Sequence, residues 1–110
     1  MTLLQRMQLR GSDDLDTPAH AVAPLLPYLP KKVWEPCPGN HALTKALTSL
    51  GDICVIETTD DFLLRREWPN VMCEAIVTNP PFSKKIKFLR RCVEWKRPWA
   101  LLLPVTTLGV

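Results

Sequence analysis

Two consecutive prolines, Pro80 and Pro81, placed directly after an apolar run, constrain this chain more than any other feature. Ala75-Ile76-Val77-Thr78 reads as the end of a short buried strand, and Asn79-Pro80-Pro81-Phe82-Ser83 follows without a gap. Each proline holds φ near −65° and lacks an N–H, and each drives the residue before it out of the helical region. The strand therefore ends in a stiff elbow that presents the Asn79 amide, the Pro80 carbonyl and the Phe82 ring. The same residues also make a plain strand-ending turn with Asn79 as its cap, and both readings stand at this point.

The chemistry that suits the elbow is the grip of a planar group carrying an NH2. An amine conjugated to a ring is a poor nucleophile because its lone pair is delocalised. Two acceptors, the Asn79 side-chain oxygen and the Pro80 carbonyl, can take both N–H bonds and favour a more tetrahedral nitrogen. Phe82 can stack on the ring, an interaction worth roughly 1–3 kcal/mol per base. Fixed dipoles and positioning then do the catalytic work, with no general base needed before attack.

Bulk properties narrow the classes. The chain of 110 residues is 46% hydrophobic, enough for one core in a single small domain. Its net charge of +3 and pI near 8.8 are compatible with a polyanionic partner. No run of about 18 apolar residues predicts a membrane span, and no apolar h-region marks a signal peptide. Cys37, Cys54, Cys73 and Cys92 contain no Cys-x-x-Cys pair, which argues against a metal site. They read as reduced core residues of a cytoplasmic protein.

Taken in order, residues 1–16 form a polar leader and residues 17–110 the domain. Thr17-Pro18 looks like a helix start with Thr17 as N-cap. Val22, Leu25, Leu26 and Leu29 supply an apolar face, and Pro24 and Pro27 break the helix towards 3₁₀ geometry before Pro30 stops it. Val33 to Cys37 reads as a first strand. Asn40 caps a helix from His41 to Leu50, whose inward face is Ala42, Leu43, Ala46, Leu47 and Leu50, and Gly51 closes it. Ile53 to Ile56 is the second strand, ending at Glu57. A strand, a glycine turn at Gly39, a helix, a strand and an acid 18 residues after that glycine form a βαβ unit that suits a nucleotide-like ligand. An ordinary tight turn accounts for the same residues equally well.

Asp60-Asp61-Phe62-Leu63 then offers either two acceptors and a ring for a flat ligand or a cap for a short helical turn from Leu63 to Glu67. Trp68-Pro69-Asn70 is a turn, and Met72 to Thr78 is the strand that carries the elbow. Ser83 caps a helix running to about Trp95, with Ile86, Leu89, Cys92 and Val93 inward. Lys84, Lys85, Lys87, Arg90, Arg91, Lys96 and Arg97 are seven of the fourteen basic residues of the chain. Two lysines in a first turn oppose the helix dipole, so the set is either a phosphate-binding face or a solvated one. Trp99 to Pro104 is a last buried strand, and Val105 to Val110 trails off.

With these pieces placed, the chain resembles the S-adenosylmethionine-dependent amino-methyltransferases, of the phage and prophage adenine-specific DNA N6-methyltransferase type. The likeness runs from about Asp14 to Leu108. It rests on Thr17-Pro18, Trp34-Glu35-Pro36 with Gly39, Asp61-Phe62-Leu63, Thr78 to Ser83, and Ala100-Leu101-Leu102-Leu103-Pro104. The resemblance implies a shortened α/β Rossmann-like sheet of about four core strands, broken off after the fifth-strand equivalent. It implies S-adenosylmethionine as cofactor, with Glu35 and Gly39 at its methionine end, Glu57 (or Asp60) at its ribose, and Asp61 and Phe62 at its adenine. Asn79, Pro80, Pro81 and Phe82 would hold a base flipped out of DNA. Lys84, Lys85, Lys87, Arg90 and Arg91 would meet its backbone.

His41 stands where the family has glycine, and Pro38 removes one donor from the cofactor loop. A non-catalytic relative that binds nucleic acid or a host protein, for instance to block a defence enzyme, is the alternative. Methylation of guanine N2 in ribosomal RNA or of a protein glutamine is a third. An unpaired sheet edge suggests a homodimer.

Overall fold

The computed structural model describes residues 19–69 and 72–103. The leader, the Thr17-Pro18 helix start, Asn70, and Pro104 to Val110 lie outside the described residues. Among those described, four short strands form one all-parallel sheet. They are β1 (Lys32–Glu35), β2 (Cys54–Glu57), β3 (Ala75–Thr78) and β4 (Trp99–Leu101), in the order β2-β1-β3-β4. Helix α1 (Ala19–Val22) continues into a 3₁₀ segment, Ala23–Tyr28, as the internal Pro27 and the neighbouring Pro24 require. Helix α2 (Ala42–Gly51) joins β1 to β2, and α3 (Lys85–Trp95) joins β3 to β4.

A parallel sheet must be covered on both faces, and alternate strand residues supply two separate cores. Val33, Ala75 and Val77 pack with Val22 of α1, with Leu43, Ala46 and Leu47 of α2, and with Ile53. Trp34 and Ile76 point the other way, into Phe62, Cys73 and the inner face of α3 at Phe88 and Cys92. The second core is largely aromatic. Trp34 meets Phe62, Trp68 and Trp95 edge-on at centroid distances of 5.3, 5.2 and 5.5 Å, the arrangement that ring quadrupoles favour. The Trp34 indole N–H donates to Thr58 Oγ1 at 2.9 Å, so burying the ring leaves no polar atom unmade.

Several expectations are corrected. Strands are shorter than the apolar runs: β1 stops at Glu35 and β3 starts at Ala75, because pairing begins only where neighbouring strands overlap. Helix α2 starts at Ala42; Asn40 Oδ1 still accepts the Ala42 N–H at 3.0 Å, but the N-cap is His41, in the left-handed region at φ 68°. At its other end the left-handed residue is Asp52, not Gly51. Gly51 serves packing instead, since a Cβ there would lie 2.5 Å from Leu26 Cδ2.

Leu50 is exposed, beyond the part of α2 that faces the sheet. Cys54, at the outer edge of β2, is exposed and Cys37 is half-buried, whereas Cys73 and Cys92 are buried. Helix α3 turns Phe88 and Cys92 inward, and Ile86 and Val93 lie exposed on its flank. Its start also differs: Phe82–Lys84 forms a 3₁₀ turn that contains Ser83, and Lys84 is the N-cap. Strand β4 pairs with β3 alone among the described residues, so Trp99 is 41% exposed and the strand is half-buried.

Replacing Trp34 with alanine empties the centre of the aromatic core and should cost about 3–5 kcal/mol. Urea unfolding followed by fluorescence and by circular dichroism checks this. A loss below about 1 kcal/mol would mean that the ring contacts do not carry that face.

Candidate functional site

Strand β1 sits between β2 and β3, so the chain leaves its C-terminal end towards one side and returns on the other. The gap between the C-terminal ends of β1 and β3 is the topological switch point, where open α/β sheets bind ligands. Glu35 ends β1 and Thr78 ends β3. The loop from Pro36 to His41 rises from the first, and the Asn79-Pro80-Pro81-Phe82 elbow from the second. Two motifs that are far apart in sequence thus share one crevice.

Glu35 is the hub of that crevice. It is 1% exposed, accepts the Cys37 N–H on Oε1 at 2.7 Å, and takes the Thr78 hydroxyl on the same oxygen. Its Oε2 is buried and meets no donor at hydrogen-bond geometry among the described residues. Burial pushes its pKa up to about 8, against the lowering effect of the Thr78 hydroxyl and the Cys37 amide. Glu57, in register with Glu35 on β2, raises it further, and the Asn79 backbone lowers it. A protonated carboxyl at this place can donate as well as accept.

The loop above β1 is a turn closed by the His41 N–H on the Pro38 carbonyl at 2.8 Å, with Gly39 left-handed at φ 53°. Open space surrounds the position where a Gly39 Cβ would project. Glu57 is already engaged: His41 Nδ1 lies 2.8 Å from Oε2 and 2.9 Å from Oε1, and the Thr44 hydroxyl donates to Oε2 at 2.6 Å. Partial burial raises the Glu57 pKa, but the Thr44 hydroxyl and the His41 ring outweigh it, leaving the carboxyl below its usual range. Thr44 went unremarked in the sequence, although a hydroxyl on the first turn of α2 is well placed to reach the end of the next strand.

At the elbow, Pro80 is buried, and Asn79, Pro81 and Phe82 are half-buried. The Lys85 ammonium stands 3.8 Å from the Phe82 ring centroid and 3.4 Å from its carbonyl oxygen. Lys85 is therefore held at the elbow by a cation–π contact, which also answers the oddity of a lysine in the first helical turn.

Other predicted residues lie elsewhere. Phe62 is 2% exposed, stacked at 4.9 Å on Phe88, and presents no free face to a flat ligand in this conformation. Asp61 caps a turn, its Oδ1 accepting the Leu63 N–H at 2.9 Å, and Asp60 pairs with Arg65 at 2.8 Å. The basic helix divides. Lys84, Lys87 and Arg90 are exposed, but Arg91 is tied inward. Its guanidinium donates to the Arg65 carbonyl, reaches Glu94 at 3.3 Å and lies 4.5 Å from the Trp95 ring centroid. Among the described residues no three His, Cys, Asp or Glu side chains gather as a metal site, and no helix is long and apolar enough to cross a membrane.

No family model, curated protein or solved structure matches the chain.

The Glu35 carboxyl gives a pH test. Unfolded, it ionises near its ordinary value of 4.5; folded, near 8. Between these the native state holds one more proton, so its contribution to stability is complete below the lower value and is lost as pH rises through the upper one. The wild-type urea midpoint should therefore fall relative to that of Glu35→Gln between pH 5 and pH 9, scales set by that window. Parallel midpoints across the window would show that Glu35 is ionised in the folded protein.

Proposed function

We propose that the chain transfers a methyl group from S-adenosylmethionine to the N6 amine of adenine in DNA. The observation that carries this reading is the meeting, at one switch point, of an open glycine turn after β1 and an Asn-Pro-Pro-Phe elbow after β3. In this reading the sheet is a shortened Rossmann-like methyltransferase sheet, and its order β2-β1-β3-β4 puts the two loops on neighbouring strands.

S-adenosylmethionine, when bound, supplies an electrophilic methyl carbon on a sulfonium. The donor set fits it in part. Gly39 leaves room for a close approach, and Glu57 offers a carboxylate for ribose hydroxyls once His41 lets go. Glu35 and the Pro36–Pro38 segment would line its methionine end. On the acceptor side, the Asn79 amide oxygen and the Pro80 carbonyl accept the two amine N–H bonds and turn the nitrogen lone pair outward. Phe82 stacks on the base, its ring exchanging the Lys85 ammonium for the base or using its other face. The proline pair, Pro80 buried and Pro81 half-buried, keeps these groups in place, so little reorganisation is needed at the moment of reaction. A base can reach such a crevice only outside the duplex stack.

One observation favours a second reading. The His41 ring and the Thr44 hydroxyl already satisfy Glu57, as a protein that had given up the cofactor would arrange them. The chain would then be a methyltransferase-like module that binds nucleic acid or a host protein.

Calorimetric titration with S-adenosylmethionine separates the two. Micromolar binding is expected of the wild type. His41→Gly should bind several-fold more tightly, because it removes the ring that competes with the ligand for Glu57. No binding by either folded protein would remove the cofactor from the proposal.

Asn79→Ala tests the acceptor side. It should abolish methyl transfer to an adenine-containing oligonucleotide while leaving cofactor affinity within about twofold. Equal loss of both would place Asn79 at the cofactor rather than at the base.

A further inference from the structure

Beside the crevice lies a second feature that methyl transfer does not use. The turn after β2 and the outer wall of α3 enclose an open groove of about 540 Å³. Leu63, Leu64 and Arg66 line one side, and Lys87, Arg90, Arg91 and Glu94 the other. Lys87, Arg90 and Glu94 recur at i, i+3 and i+7, and Arg91 at i+4, so all four share one wall of the helix.

The charges on this groove do not cancel. Arg91 neutralises Glu94 at 3.3 Å, and Arg65 is spent on Asp60 at 2.8 Å and on the Glu67 carbonyl at 2.8 Å. Arg66, Lys87 and Arg90 have no partner of their own among the described residues, so three cations face one another across a gap without a counter-ion. The gap is preformed. The Asp61 side chain and carbonyl hold the Leu63 and Leu64 amides at 2.9 and 3.1 Å, which fixes the turn that carries Arg66. Between the cations, Leu64 is 76% exposed. Apolar surface rimmed by unpaired cations fits an extended polyanion that has apolar parts better than a small free anion.

Helix α3, which carries one wall of the groove, starts at the elbow. The five helical steps from Lys85 to Arg90 span about 8 Å at 1.5 Å per residue, the scale of one or two nucleotide steps. We infer that this groove holds the sugar–phosphate backbone of a single nucleic-acid strand flanking the base gripped at the elbow. Arg66 contacts phosphates from one wall, Lys87 and Arg90 contact them from the other, and sugars lie on Leu64. This rests on the reading of the elbow as a base-binding site, but not on methyl transfer. It also reassigns the basic helix: Arg91 is structural, Lys85 belongs to the elbow, and Arg66, absent from every motif, joins the interface.

The test is fluorescence anisotropy of a labelled single-stranded 12-mer titrated with the full chain at several KCl concentrations. Each phosphate contact on a single strand adds about 0.7 to the slope of log affinity against log salt. Lys87→Gln/Arg90→Gln should lower that slope by about 1.4 and Arg66→Gln by about 0.7. Lys31→Gln/Lys45→Gln, the same charge change at exposed positions elsewhere, should move it by less than half as much as the groove pair. Groove variants whose slopes match this control overturn the inference. So does polyglutamate of equal length displacing the 12-mer at equal concentration, which would make the groove a site for an acidic protein. If the groove variants lose their slope in a protein that binds no S-adenosylmethionine, the groove stands and the methyltransferase reading falls. If methyl transfer is present and the slopes do not change, only the groove falls.

Discussion

The burial of Trp34 decides where almost everything else can be. Its indole fills the aromatic side of the sheet, against Phe62, Trp68 and Trp95. Successive strand residues point to opposite faces, so Glu35 is turned away from that core and towards the crevice. A register slip of one residue would exchange them, driving a carboxyl into the rings and an indole into the ligand gap. Neither is tolerable energetically, and the buried polar pair of Glu35 and Thr78 then closes β1 onto β3. Hydrophobic packing on one face thus positions the chemistry on the other.

The elements and their order were legible in the sequence because each is punctuated locally. Prolines end β3, Gly39 opens the turn after β1, and the apolar spacing in α2 exposes a helix. What was not legible is which side of an element faces what. Ile86 and Val93 share helical spacing with Cys92, yet it is Phe88, Cys92 and Trp95 that face the sheet, with Trp95 set against Trp34. Cys54 and Trp99 sit in apolar runs but on outer strands, where half of the environment is solvent. Phe62 was expected in a ligand site and lies in the core for the converse reason: the segment after β2 folds back over Trp34. The candidate site divides in the same way. Asn79 to Phe82 and Glu35 were named from local motifs, whereas Thr44, Thr78 and Arg66 act through neighbours distant in sequence.

The crevice carries two opposed tendencies. Its outer carboxylate, Glu57, is held by His41 and Thr44, while its inner one, Glu35, is kept from water and leans towards the neutral form. Two carboxylates in register on adjacent strands would repel if both were ionised and unpaired. Pairing one and burying the other resolves the conflict within the chain. Any ligand that recruits Glu57 must take over the role of His41, and the backbone strain at that histidine makes it a natural point of release.

The strand order has a consequence for how the molecule comes into being. Of the two inner strands β1 is made first, and α2 with β2 can dock on one side of it before β3 is available. Its other edge must wait for β3, 18 positions after the end of β2, and the aromatic core is not closed until Trp95 arrives. Throughout that interval a Val-Trp edge stands open, which is the kind of exposed strand that seeks foreign partners. The stretch between β2 and β3, Asp60 to Glu67, is charged at five of its eight positions, and charged residues beside an open edge disfavour foreign pairing.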